Sequence, residues 1–312
     1  VCFVGQVPLA HRDRGVFQEV NYRALFGPLV KWVAEVERTD RIGEYVDRAF
    51  AMAQSGRPGP VVLALPEDVL SAVIDAPDAA PLPAAPTSAV APETVGQAVE
   101  ILKTAQHPLI ICGGSQWDAD TGQAAAEIAR RLGAPVAVTF RRQDYVDNDH
   151  PNYAGDLGVG MNPALGARLS DADAVLLLGA ELNDVTTREF TLLDPAAPPR
   201  IVQVAPDGDA LSKHYPAEVA IIADPRDAVG ALLAALADAD GEDRGAKDAR
   251  AAYESWQAPQ ATPGAVRMEE VVTHMARTLP HQTIVTNGAG NYAAFLHRYY
   301  RFRQFGTQAA PT

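Results

Sequence analysis

Cysteine is almost absent from the 312-residue chain. Cys2 and Cys112 have no paired spacing, so neither a disulfide framework nor a thiolate metal site can be assembled. That usage fits a reducing, cytoplasmic compartment. Basic residues are also in deficit: 26 Lys and Arg face 39 Asp and Glu, a net charge of -13. Long-range repulsion then opposes a non-specific grip on nucleic acid or anionic lipid, so the expected partners are small molecules or other proteins. Long apolar runs are missing. Stretches such as Ala174 to Ala180 fall far short of the ~20 residues of a membrane span. The histidines form no i, i+4 pair and no G-x-S-x-G elbow occurs, so neither a metal site in this chain nor serine hydrolysis is expected.

What remains is a globular composition, 47% hydrophobic, too apolar for a disordered chain. Its patterning alternates strand and helix. Val1 to Gly5 reads as a strand, Arg41 to Ser55 as a helix with Ile42, Val46, Ala49, Phe50 and Ala53 on one face, and Pro60 to Leu65 as a strand covered on both faces. From 75 to 92, five prolines among Ala and Ser predict a semi-rigid linker. The alternation then restarts. Helices are predicted at 93–105, 119–132, 163–169 and 225–236, and strands at 108–112, 135–139, 174–178, 200–204 and 219–222. Repeated units with apolar strands predict a doubly wound parallel sheet over 93–237. A charged stretch from 238 reads as a solvated connector running to 265, and a third α/β unit begins at 266. The opening Val1-Cys-Phe-Val-Gly-Gln6 reads as a strand entered mid-stride and the closing residues as uncapped, so the chain is expected to be cut at both ends.

Four Gly-bearing segments are candidates for binding. Gly113-Gly114-Ser115 and Gly179 to Asp184 follow strands, where open α/β sheets place their ligands. Gly155 to Gly160 reads as a Gly-rich loop, and Thr286 to Tyr292 as a strand-to-helix turn able to meet a diphosphate through backbone N–H groups. Gly113 to Ser115 and Thr286 to Tyr292 read equally as plain turns on their own residues, and Gly155 to Gly160 more readily as a structural loop. Arg298, Arg301 and Arg303, interleaved with Tyr299, Tyr300 and Phe302, read as an interface.

Three strings add a stronger signal: Gly5-Gln-Val-Pro8 followed by Phe17-Gln-Glu19, then Ser55-Gly-Arg-Pro-Gly-Pro-Val61 running into Leu65-Pro-Glu-Asp68. In this order and spacing the chain resembles the thiamine-diphosphate-dependent enzymes of the acetolactate synthase type from end to end. The resemblance implies part of a pyrimidine-binding domain at 1–74, a complete central Rossmann-like domain at 93–237, and the start of a diphosphate-binding domain at 266–312. It implies thiamine diphosphate and Mg²⁺ as cofactors, with FAD, ADP or nothing in the central domain at Gly113, Gly114 and Gly179. Phe17 and Gln18 fall where the family lines the substrate side of the thiazolium. Gly290, Asn291 and Tyr292 fall where it holds the diphosphate, with Gly-Asn-Tyr in place of Gly-Gln-His. The family's catalytic Glu and its G-D-G…N metal motif lie upstream and downstream of these residues, so this piece alone is expected to be inactive and to hold no metal ligand. The family builds each site from more than one subunit, which implies a homodimer or homotetramer. The implied function is a lyase or carboligase of the transferase/lyase type acting on a 2-oxoacid or similar acyl donor. Glu67 and Glu181 stand where acetolactate synthases have Lys and Arg. The rival expectation is a non-catalytic module binding FAD, ADP or NAD.

Overall fold

The computed structural model describes residues 1–75, 89–239 and 241–311. Two compact units divide at 86/87. The stretch expected to be a linker lies mostly outside the described residues; Pro92 is already the first residue of a helix, a position suited to its fixed φ and missing donor.

The first unit contains β1 (Cys2–Gln6), α1 (Tyr22–Phe26), β2 (Trp32–Glu35), α2 (Ile42–Gln54), β3 (Val61–Pro66) and α3 (Glu67–Ser71). Its sheet is parallel, in the order β1-β3-β2. The continuous apolar run of β3 takes the central place, and Val61 to Ala64 are fully covered. Ala49 of α2 packs on Ala34, Val61 and Leu63. Strand β2 and helix α1 were not anticipated.

The second unit opens with α4 (Pro92–Thr104), β4 (Pro108–Cys112), α5 (Ala119–Leu132), β5 (Val136–Thr139), β6 (Tyr153–Leu157), α6 (Pro163–Ser170), β7 (Ala174–Leu178), β8 (Arg200–Ala205), β9 (Val219–Ile222) and α7 (Pro225–Ala235). The six strands form one parallel sheet, β6-β5-β4-β7-β8-β9, which is the expected doubly wound fold. The order reverses between β4 and β7, the switch point where such sheets bind ligands. Because successive side chains point to opposite faces, Ile110, Leu176 and Leu178 join the core under α4, α5 and α7, while Leu109, Ile111, Val175 and Leu177 join another with Leu165 and Leu169 of α6. Local signals fix the helix ends. The Asp118 carboxylate accepts the Thr121 N–H at 2.8 Å at the start of α5, and Gly133 closes that helix at φ 61°.

Two expectations change here. Gly155 to Leu157, read as a loop, are the body of β6. A register shift between Val136 and Ala137 leaves an extra residue on β6, and Gly155 at φ 110° absorbs it. Within the stretch read as a connector, Ala246–Trp256 form α8, with Ala246, Ala249 and Tyr253 buried and the Tyr253 ring edge-on to Tyr153 at 5.0 Å. The chain then adds α9 (Met268–Thr278), β10 (Val285–Thr286), α10 (Ala293–Tyr299) and β11 (Gln308–Ala309), with β10 and β11 paired in parallel. The Arg298–Arg303 stripe is an internal interface. The Arg298 guanidinium lies over the Trp256 ring at 3.6 Å, and Arg301 and Arg303 both bind Asp149.

Arg244 ties the connector to the sheet. Its guanidinium donates to Leu132 O at 2.7 Å, Leu102 O at 2.7 Å and Ala105 O at 2.9 Å, carbonyls left unpaired where α4 and α5 end. Arg244→Ala should therefore lower unfolding free energy by about 2 kcal/mol, measured by urea denaturation. Arg244→Lys, lacking the fork, should recover only part of it.

Candidate functional site

In the first unit, β1 and β3 run in register with Gly5 opposite Leu65 and Gln6 opposite Pro66, so their carboxyl ends reach one edge together. An open cavity of about 1030 Å³ lies there, lined among others by Gln6, Pro8, Phe17, Gln18, Tyr22 and Glu67. The loop that carries Phe17 and Gln18 is pinned from inside. Buried Gln6 donates to Val20 O at 2.7 Å and accepts the Val7 N–H at 2.9 Å. The Glu19 carboxylate accepts N–H groups of Asp13 at 2.6 Å and Gly15 at 3.0 Å, and these donors, the Asp13 N–H foremost, lower its pKa. The Tyr22 hydroxyl donates to Gly5 O at 3.0 Å. Gln18 sits at φ 66°, a left-handed conformation disfavoured for a residue with a Cβ. The outcome is a Phe17 ring that is 88% exposed at the cavity mouth, an apolar surface suited to cover by a ligand or another surface.

At the switch point, Gly113 and Gly114 lie directly against Gly179. A Cβ on Gly114, whose φ is 73°, would stand 2.2 Å from Gly179 O. The Gly113 and Gly179 N–H groups donate to Leu178 O and Val204 O, both at 3.0 Å. The carbonyls are also taken: Gly113 O by the Trp117 indole at 2.7 Å, and Gly114 O by the Tyr145 hydroxyl at 2.8 Å and the Arg142 guanidinium at 3.0 Å. These glycines let two strand ends cross in contact, and a nucleotide here would need other donors for its phosphates. Glu181, just beyond, faces Lys213 at 3.7 Å.

The third place is the turn between β10 and α10. Gly288 donates its N–H to the Tyr292 hydroxyl at 3.1 Å, and the Tyr292 ring lies so close that a Cβ on Gly290 would stand 2.5 Å from it. The Tyr292 side chain thus covers the two glycines, and a diphosphate could reach their backbone only where that ring gives way. The Asn287 amide donates to Gly288 O at 2.9 Å, and Asn291 is exposed. Among the described residues, no group of three His, Cys, Asp or Glu side chains could hold a metal.

Residues 95–232, from α4 through α7, match the family model described as "Thiamine pyrophosphate enzyme, central domain". This stretch matches the thiamine pyrophosphate enzyme family. Over 96% of its length the chain is 29% identical to a sulfoacetaldehyde acetyltransferase of Rhodobacter capsulatus, of which it covers 54%. Over 76% of its length it is 28% identical to a probable acetolactate synthase large subunit of Methanocaldococcus jannaschii, covering 41% of that protein. A third relative, the acetolactate synthase isozyme 3 large subunit of Escherichia coli, is 25% identical over 97% of the chain, which covers 54% of it. The chain thus spans about half the length of these relatives.

Within the second unit two residues stand out: Gln143, which no motif signalled, and Asp156, inside the candidate segment Gly155 to Gly160. Buried Gln143, after β5, donates to Asp156 Oδ1 at 3.0 Å and to His297 O at 2.7 Å. Asp156, at the end of β6, has no cation beside it, and burial pushes its pKa up to about 7. His297 is likewise pushed down to about 4 by burial. A Gln in a polar loop carries no periodicity that would mark it as buried, and Asp156 is half-buried. The folded state holds the Asp156 proton more tightly than the unfolded chain. Its ionisation therefore costs nothing below the ordinary value of 3.8, and the cost grows as pH rises towards 7. Asp156→Asn should accordingly be more stable than the parent by about 2 kcal/mol at pH 8, with the advantage vanishing near pH 4 in urea titrations.

Proposed function

We propose that this chain is part of a thiamine-diphosphate- and Mg²⁺-dependent lyase or carboligase that acts on a 2-oxoacid or similar acyl donor. The observation that carries the reading is the placement of Phe17 and Gln18. The strings that resemble the family put them at the mouth of the cavity where β1 and β3 end, beside Gln6 and Pro8 of the first string. Relatives named as acetolactate synthases and a sulfoacetaldehyde acetyltransferase support it, as does the family match over 95–232. A cytoplasmic homodimer or homotetramer is part of the same reading.

In such an enzyme, thiamine diphosphate supplies a thiazolium carbanion and an electron sink for cleavage beside a carbonyl. The two units of this chain would each contribute to a site completed by another subunit, as the resemblance implies. Backbone N–H groups at Gly290, Asn291 and Tyr292 would receive the diphosphate once the Tyr292 ring, which lies against Gly288 and Gly290, moves aside. The Phe17 ring would exclude water from the reacting carbon, and the Gln18 amide would donate to the substrate carbonyl or carboxylate. Loss of CO₂ disperses the charge of a carboxylate, so an apolar wall there favours the transition state over the ground state.

A second reading concerns the central sheet, where Gly113, Gly114 and Gly179 at the switch point favour FAD or ADP by position, although their own N–H groups are largely engaged. Flavin absorption in purified full-length protein would support it.

Full-length protein should bind thiamine diphosphate with Mg²⁺ in calorimetry, and absence of binding would overturn the first reading. Phe17→Ala should lower kcat/KM for the 2-oxoacid by about tenfold, about 1.4 kcal/mol, with cofactor affinity unchanged.

A further inference from the structure

The turn from Asn287 to Tyr292 contains two glycines and is exposed along much of its length, so beyond its own Gly288–Tyr292 and Asn287–Gly288 bonds its shape depends on what flanks it. On one side is β10, held by β11: the Val285 N–H donates to Thr307 O at 2.8 Å and the Asn287 N–H to Ala309 O at 3.3 Å. On the other side is α10. One side chain of the central sheet reaches both flanks. Gln143 accepts the Gln308 amide of β11 at 2.9 Å and donates to His297 O of α10 at 2.7 Å, and its backbone N–H donates to Gln308 Oε1 at 2.8 Å. Its remaining amide hydrogen goes to Asp156 Oδ1 at 3.0 Å, so both N–H groups and the carbonyl of this buried amide are engaged.

We propose that Gln143 is a positioning residue that sets the separation of β11 and α10, and through them the shape of the turn that would receive the diphosphate. The assignment of the turn rests on the function proposed above; the clamp itself does not. A carboxylate at this position could not donate to His297 O and would face Asp156, whereas an amide satisfies all three partners. Gln143 is not the only support of this region. The Asp144 carboxylate accepts the N–H groups of Gly306 at 2.9 Å and Gln308 at 3.1 Å, and Asn148 exchanges hydrogen bonds with the Phe302 backbone, both at 2.9 Å. Loss of Gln143 should therefore loosen the turn without detaching the segment.

The test is Gln143→Leu in the full-length protein, with Gln308→Leu as a second variant that removes the same side-chain bond from the other side. Hydrogen exchange of the cofactor-free protein should quicken at residues 287–292 in both variants and stay unchanged in β4 and β7. Calorimetry should show thiamine diphosphate with Mg²⁺ binding about tenfold more weakly, and the double variant should be less impaired than the sum of the two singles. A general structural role would instead quicken exchange throughout the sheet. Parent-like exchange at 287–292 in both variants would overturn the proposal, as would parent-like cofactor affinity. If the parent itself binds no cofactor, the proposed function fails, and the exchange result still decides whether Gln143 shapes the turn. If Gln143→Leu does not fold, Gln308→Leu decides on the same two readouts.

Discussion

A parallel sheet covered on both faces leaves little of itself open except its edges and the two rims where strands begin and end. In the second unit this constraint governs everything else. Leu, Ile and Val side chains of β4, β7 and β8 divide between two cores, and the helices that bury them close off both faces. Polar chemistry is thereby confined to the rims. At the rim where strands start, Arg244 satisfies the carbonyl ends of α4 and α5, a stabilising role. At the opposite rim stand the glycine crossing of Gly113, Gly114 and Gly179 and the pair Gln143 and Asp156.

The segment from α9 to β11 illustrates how such a rim supports a weaker structure. Its sheet consists of two strands of two residues each, too little to persist alone in water. Its small apolar cluster of Val272, Val285, Leu296, Tyr299, Tyr300 and Phe302 is supplemented by a polar seam against the central sheet. In that seam, Asn148 binds the Phe302 backbone, Asp144 binds the Gly306 and Gln308 N–H groups, and Asp149 binds two arginines. Buried amides and carboxylates specify a register more sharply than apolar contact can, because each misplacement leaves a donor or acceptor unpaired. This explains why residues 87–312 behave as one compact unit.

The same physics decides what could be read from the residues alone. Runs such as Leu109 to Cys112 and Ala174 to Leu178 announced buried strands because both faces are apolar, and Asp118 and Gly133 marked the ends of α5. Strand β6 was hidden because Gly155 and Asp156 are turn residues by type. Here Gly155 accommodates a bulge at the sheet edge, a tertiary event with no local signature. Helix α8 was hidden by its charge: Lys247, Asp248 and Arg250 obscured the inward Ala246, Ala249 and Tyr253. Of the candidate site, Phe17 and Gln18 were legible through the strings around them. Gln143 was not, since a buried amide in a loop is defined only by partners up to 165 positions away in the chain.

The carboxylates Glu67 and Glu181 stand in different electrostatic settings. The Glu181 side chain is mostly covered, 15% exposed, whereas Glu67 is open to solvent. Glu181 faces Lys213 at 3.7 Å, so its charge is largely balanced locally. Glu67 is exposed at the first turn of α3, where water screens it. At about 4 Å in water, a pair of unit charges interacts by about 1 kcal/mol rather than the tens expected in a dry interior.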